Sequence, residues 1–392
     1  MQPLVVLLNM RVICLRKTMT TTVSVKTEES KSAEITSKYL AIGEEEAMCR
    51  IQEIKGELGE KLLILGHHYQ QDAVIQFADM SGDSYGLSIQ AAQIDRAEYI
   101  VFCGVHFMAE SADILTPPGK VVILPDMRAG CTMADMANLE QVEIAWEEIS
   151  ACTQDRVIPV TYINSAASLK DFVGRNGGAV CTSTNARRII EWAFHEGKKL
   201  FFFPDQHLGR NTCAQMGISL DRMIVWNPDE LNGGHHSEEI DDATVLLWQG
   251  HCSVHMGFTP QQVAHWRKQR PEIQIIVHPE CTHDVVKASD YSGSTAYIID
   301  EIRAAEPGSE WAVGTEIHLV NRLKEEMPDR FITSLSPFQC LCATMYRIRP
   351  QYLLWVLENL IEGRIVNQVS VDGKIAEGAR IALNRMIEIT SR

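Results

Sequence analysis

The sequence predicts an α/β fold of three pseudo-threefold-related αβα modules, each with a short parallel sheet, set around a common centre. Three observations carry this prediction. Short apolar runs alternate with helical stretches of about ten residues, the pattern of parallel strands covered on both faces. Three stretches read alike as strand, polar turn, helix, small residue plus hydroxyl, helix and strand: Leu62 to Cys131, Thr161 to Cys252, and Ile276 to Cys342. A cysteine then follows the second strand's end at 131 − 104 = 27, 252 − 204 = 48 and 342 − 314 = 28 residues, the middle value lengthened by an acidic insertion.

Taken in order, residues 1–36 are expected to be a disordered extension. The apolar run Pro3–Leu8 is followed, not preceded, by Arg11, Arg16 and Lys17, which is wrong for a secretory signal, and it is too short to span a bilayer. Met19, before Thr20-Thr21-Thr22, reads as an alternative start. Module 1 (37–143) opens on a helix at Glu44–Lys61. It continues with strands at Leu62–Leu65, Tyr99–Cys103 and Val121–Leu124 and helices at Ala73–Met80 and Phe107–Leu115. Module 2 (144–255) has strands at Val157–Ile163, Leu200–Phe203, Met223–Trp226 and Val245–Trp248, a helix at Ala186–Phe194, and the insertion at about 229–243. His235-His236 in that insertion, flanked by Gly and Glu, reads as a solvated loop. Module 3 (256–345) has helices at Gln261–Lys268 and Ile317–Glu326 and strands at Ile273–Val277, Trp311–Val313 and Phe331–Thr333. Pro350 opens a C-terminal pair within 346–392, Gln351–Glu362 and Ala376–Glu388, expected to pack on the modules as a lid or buttress.

Composition narrows the function. The 392 residues exceed the roughly 250 that one core supports, in keeping with several modules. A formal charge of −15 without basic runs speaks against a nucleic-acid partner. Eleven cysteines without disulfide spacing, in a chain with no membrane-length apolar stretch, point to reduced thiols and a cytoplasmic protein. Cys14, Cys49, Cys152 and Cys213 read as small core or surface residues.

The chemistry centres on the three matched cysteines, Cys131, Cys252 and a third that is Cys342 or Cys340; Cys342 fits the spacing better. Structural zinc and most iron–sulfur clusters take four protein ligands. Three thiolates without a fourth describe a cluster with one open iron, able to act as a Lewis acid. In an α/β sheet, ligands bind beyond the carboxyl ends of the strands. The polar turns His67-His68-Tyr69, Tyr162-Ile163-Asn164 and His278-Pro279-Glu280 lie at such ends. Glu280 is the candidate general acid/base, with His67, His278 and Tyr69 to orient or protonate substrate oxygens. Asp83-Ser84, Thr182-Ser183 and Ser294-Thr295 precede helices, as caps or, together, as anion-binding helix ends. Asn164 adds an amide that can both donate and accept.

With these residues in place, the chain resembles the quinolinate synthase family. Among the matching segments are Gly66-His67-His68-Tyr69-Gln70, Gly82-Asp83-Ser84, Tyr162-Ile163-Asn164-Ser165, Pro204-Asp205-Gln206-His207, Gly250-His251-Cys252-Ser253-Val254-His255, His278-Pro279-Glu280-Cys281, Gly293-Ser294-Thr295 and Gly314-Thr315-Glu316. They fall in order between about residues 60 and 346. The resemblance implies one [4Fe–4S] cluster per chain on Cys131, Cys252 and Cys342, with one open iron. It implies condensation of iminoaspartate, supplied by an aspartate-oxidising enzyme, with dihydroxyacetone phosphate. Phosphate and two waters leave to give quinolinate for NAD biosynthesis. Substrate contacts fall on His67, Ser84, Tyr162, Asn164, Ser183, His278, Glu280 and Thr295, and Tyr69 matches an active-site tyrosine of the family. Cys340-Leu341-Cys342 departs from the Cys-x-x-Cys of some members, and the insertion marks a longer branch. A homodimer is compatible with the sequence. Two other readings remain: another [4Fe–4S]-dependent dicarboxylate hydro-lyase, and a non-enzymatic redox or iron sensor, which leaves His67, Asn164 and Glu280 without a task.

Overall fold

The first strand of each module lies inside its sheet with the same neighbours every time. In the computed structural model, which describes residues 34–338 and 340–391, module 1 contributes β1 (Leu62–His67), β2 (Met80–Gly82), β3 (Tyr99–Cys103) and β4 (Val121–Ile123). Module 2 contributes β5 (Val157–Tyr162), β6 (Ala179–Cys181), β7 (Lys199–Phe203), β8 (Met223–Trp226) and β9 (Val245–Trp248). Module 3 contributes β10 (Gln274–Val277), β11 (Tyr291–Ser292), β12 (Glu310–Gly314) and β13 (Phe331–Ser334); β14 (Gln368–Val369) follows near the C-terminus. The sheets run β14-β4-β3-β1-β2, β6-β5-β7-β9-β8 and β11-β10-β12-β13. Every pairing is parallel except β14 on β4. The α/β class and the threefold repeat are thus as the sequence predicts.

The short strands β2, β6 and β11 were not expected, because two or three residues are too few to show a period. In β2 and β11 the entry is set by one side-chain device. Asp79, just before β2, accepts the Ile64 N–H at 2.8 Å, and Asp290, just before β11, accepts the Ile275 N–H at 2.8 Å. The register puts Gly178 and Pro159 at the equivalent places in module 2. Proline has no N–H to satisfy, so no aspartate is needed. A Cβ on Gly178 would overlap the Pro159 carbonyl. The same tie corrects the helix expected at Ala73–Met80: it spans only Asp72–Ile75, since Asp79 is pulled onto β1.

The odd spacing of module 2 is a whole strand and helix. β8, a turn at Leu231–Gly234 and the helix Ser237–Asp242 occupy residues 223–242, and β8 lines up beyond β9. His235 corrects the solvated-loop expectation. Its Nε2 lies 2.8 Å from the Val225 carbonyl oxygen and Ile240 is buried, whereas His236 is exposed.

A helix begins eight residues after each matched cysteine, at Leu139, Pro260 and Pro350, following a 3-10 turn at Ala134–Met136, His255–Gly257 or Met345–Arg347. Each helix crosses to the next module. Leu139–Cys152 packs on the helix Ala167–Arg175, Pro260–Gln269 on His283–Ala288, and Pro350–Ile361 returns to Glu44–Leu58 of module 1. The first helix of the expected C-terminal pair is therefore the third crossing helix. The second, Gly373–Ser391, packs on Ala167–Arg175 as a buttress, with Gly174 and Gly378 so close that a Cβ on either would overlap the other helix. Both faces of the third sheet are covered: Ile275 and Val277 join one apolar cluster, while Ile276, Trp311 and Val313 join another. Residues 1–33 of the expected extension, with Cys14, lie outside the described residues. No described helix is long and apolar enough to cross a membrane.

Candidate active site

The carboxyl ends of the three inner strands face one cleft of about 600 Å³, part of it continuous with solvent. Its walls include all twelve residues singled out from the sequence: His67, Tyr69, Ser84, Tyr162, Asn164, Ser183, His278, Glu280, Thr295, Cys131, Cys252 and Cys342. Cys340 is not among them. It is buried with Val277 and Leu335 on one face of the third sheet, which resolves the sequence ambiguity in favour of Cys342 as the residue at the cleft.

Polar ties between modules fix the walls. Asn211 donates to the carbonyls of Pro279 (2.9 Å) and Cys281 (2.8 Å), holding the Glu280 turn against module 2. Arg322 donates to the carbonyls of His68 (2.9 Å) and Gln70 (2.6 Å), holding the Tyr69 turn against module 3. Thr184 donates to Asp83 at 2.5 Å, joining the two helix entries of modules 1 and 2. The helices Ser84–Ala92 and Thr295–Ala304 start at the cleft, capped by Asp83 and Ser294.

Glu280 is buried and held at both oxygens. Tyr162 Oη donates to Oε1 at 2.6 Å, and His255 Nδ1 lies 2.8 Å from Oε2. Burial acts to raise the Glu280 pKa; the hydrogen bonds from His255 and Tyr162 act against it, and the balance lies below the ordinary range, so the carboxylate is ionised. On its other side, His255 Nε2 lies 3.3 Å from Thr315 Oγ1. Thr315 Oγ1 in turn lies 2.7 Å from Tyr69 Oη, which accepts from Thr295 (3.0 Å). Thr295, Tyr69, Thr315, His255 and Glu280 are thus linked in one hydrogen-bonded chain. His255 and Thr315 were missed as site residues although both lie in motifs read from the sequence. Cys252-x-x-His255 is a ligand-like spacing that could have drawn attention to them.

His67 and His278 are buried and neutral. Burial, chiefly, lowers each pKa to about 3. The Nδ1 of His67 accepts the Tyr69 N–H (3.1 Å) and that of His278 the Glu280 N–H (3.3 Å), so both rings keep a proton on Nε2. Burial, then the charge of Glu280, pushes Tyr69 and Tyr162 well above the usual phenol range, leaving them proton donors. The Asn164 amide oxygen is buried without a partner, an acceptor free for a bound molecule.

The three thiols share one environment. Burial pushes Cys131 up to about 12 and Cys252 well above the normal thiol range, and the other two thiols add to the Cys252 shift. The backbone N–H three residues on, at Ala134, His255 and Met345, bonds each sulfur and opposes that shift. Three half-buried thiols with raised pKa values, two of them raised further by a neighbouring thiol, call for a cation to displace their protons. Cys252, His255 and Glu280 form the one set among the described residues with three or more donor atoms all within 4.8 Å of one another. The three thiols make no such set. At least one pair of them is wider apart, which suits a polynuclear group better than one ion, so the residues present fit a cluster.

The NadA family, described as quinolinate synthetase A protein, matches residues 49–388. A protein of Herpetosiphon aurantiacus called quinolinate synthase is 58% identical over 355 residues, covering 90% of this chain and 94% of its own length. Proteins of the same name from Bacillus cereus and Bacillus anthracis are each 53% identical, over 353 and 351 residues, covering 90% of this chain and 95% of their own lengths.

Proposed function

The chain belongs to the quinolinate synthase family, and from that premise we propose that it condenses iminoaspartate with dihydroxyacetone phosphate. Phosphate and two waters are lost and quinolinate is formed. The observation that carries the reading is the convergence of three cysteines, an ionised Glu280 and the uncharged donors of three modules on one cleft. Cys131, Cys252 and Cys342 would hold a [4Fe–4S] cluster. When bound, the cluster supplies a Lewis-acidic iron for polarising a substrate oxygen.

The protein's own groups divide the remaining work. Ser84 and Thr295 head helices whose free N–H groups favour anions, and Ser183 stands ahead of a third helix, Ala186–Glu196. These hydroxyls suit the carboxylates of one substrate and the phosphate of the other. The Asn164 oxygen accepts from the imine or amine nitrogen. The Nε2–H groups of His67 and His278 donate to substrate oxygens and stay uncharged, so they do not compete with Glu280 for its proton. Glu280 takes a carbon-bound proton in the isomerisation and returns it to a departing hydroxyl. Tyr162 and His255 keep its two oxygens in one plane while it does so. The buried walls exclude bulk water from the dehydration steps.

The test is quinolinate formation by anaerobically purified protein given oxaloacetate, ammonia and dihydroxyacetone phosphate. The reading expects product that disappears when the triose phosphate is omitted or the protein is exposed to air. Iron-loaded protein that makes no quinolinate would overturn it.

A further inference from the structure

One turn of chain offers two metal ligands. Cys252 and His255 are three residues apart on the approach to a single 3-10 turn, and Glu280 reaches them from the turn after β10. The three donor atoms lie within 4.8 Å of one another. His255 and Glu280 are both buried, at 2% and 3% exposure. Each also has an outer partner of the kind that orients a metal ligand: Thr315 on His255 Nε2 (3.3 Å) and Tyr162 on Glu280 Oε1 (2.6 Å). That leaves His255 Nδ1 and Glu280 Oε2, 2.8 Å apart, as the donor atoms on the side away from those partners, with Cys252 as the third ligand of the group.

We propose that these three residues form a site for one zinc-class divalent ion when the pocket carries no cluster. One thiolate and one carboxylate cancel the charge of a divalent ion, as a buried site requires. A sulfur, an imidazole nitrogen and a carboxylate oxygen are the mixed donors of zinc or ferrous iron, not of magnesium or calcium. A tetrahedral ion with normal bond lengths holds its donors roughly 3.3–3.7 Å apart, so the His255–Glu280 pair opens slightly to admit it. On binding, the Cys252 S–H releases its proton to solvent and His255 coordinates through an unprotonated Nδ1, with the one proton of the neutral ring on Nε2 facing Thr315. The cleft supplies water for the fourth position. Because the site uses Cys252, it and a three-cysteine cluster exclude each other. It also pins the carboxylate of Glu280.

The test is titration of the reduced, cluster-free full chain with Co²⁺, read by visible absorption, with Zn²⁺ as competitor. The proposal expects one Co²⁺ per chain, a sulfur-to-cobalt charge-transfer band, tetrahedral d–d absorption, and displacement by Zn²⁺. His255→Ala and Glu280→Gln should each weaken binding about tenfold or more, and Thr315→Val should weaken it less. Cys131→Ser and Cys342→Ser should bind as the parent chain does. Equal loss in those two variants would place the ion among the thiols and overturn the proposal, as would no binding at all. If His255→Ala fails to fold, Glu280→Gln set against Cys131→Ser carries the same comparison. No turnover is measured, so the result is independent of the reaction assigned above.

Discussion

The cysteine loops of the first and second modules follow one path and carry different chemistry. In both, the N–H four residues on bonds the cysteine carbonyl, from Asp135 at 3.1 Å and from Met256 at 3.0 Å. Both enter a 3-10 turn and a capped helix, with Asn138 and Thr259 as the caps. The third residue after the cysteine is buried Ala134 in the first loop and His255 in the second, where the ring touches Glu280. The repeat thus supplies three equivalent sulfurs, each with a backbone N–H on it. A single side chain then gives one of the three loops a link to Glu280, the proposed acid/base. The scaffold is symmetric and the reactivity is not.

Breaking what the loops share should have the largest effect. Cys131→Ser and Cys252→Ser should each lose the cluster, with activity falling to background and the iron–sulfur absorption gone, whereas Cys340→Ser should keep both. Retained iron in either ligand variant would sink the equivalence of the loops. Next comes the group that only the second loop touches: Glu280→Gln should lower kcat by about 10²–10⁴-fold while iron content holds. Below that, His255→Ala should cost about tenfold through a misplaced Glu280, and Ala134→Ser should cost less than about twofold, both judged by kcat on cluster-loaded enzyme. Equal losses at the two positions would mean that the third residue matters for the sulfur alone.

The smallest effect at neutral pH separates the neutral imidazoles from the carboxylate. His67 and His278 take up protons near 6.5 in the unfolded chain and near 3 in the fold. Between those values the unfolded state binds more protons, so stability is complete above about 6.5 and is lost as pH falls. The slope is at most about 1.4 kcal/mol per pH unit for each ring. His67→Gln should flatten the decline of melting temperature between about pH 7 and 5; an unchanged slope would show that His67 is not held neutral.

Much of this was legible in the sequence, for physical reasons. Long apolar strands such as β5 and β7 announce themselves, as does Pro350 at the start of the third crossing helix, whereas the first crossing helix, Leu139–Cys152, was not read. The twelve cleft residues were legible because strand ends and helix starts in parallel sheets point to one side. What stayed hidden depends on contacts across the chain. β14 is two residues whose strand character exists only against β4. The Asp72–Ile75 helix ends early because Asp79 bonds Ile64, fifteen positions away. Spacing favoured Cys342 over Cys340 by only two residues, within the scatter of any loop; the structure lines the cleft with Cys342 and buries Cys340 against one face of the third sheet.

The return of the helix Pro350–Ile361 to module 1 also sets an order of assembly during synthesis. The opening helix Glu44–Leu58 waits for its cover until after the third cysteine has been made. Cys252, His255 and Glu280 have by then all left the ribosome's catalytic centre, and Cys342 follows Glu280 by 342 − 280 = 62 residues. At roughly 5–20 residues per second that gap lasts several seconds. For that interval the nascent chain would hold all three donors of the proposed single-ion site and lack one of the thiols proposed for the cluster.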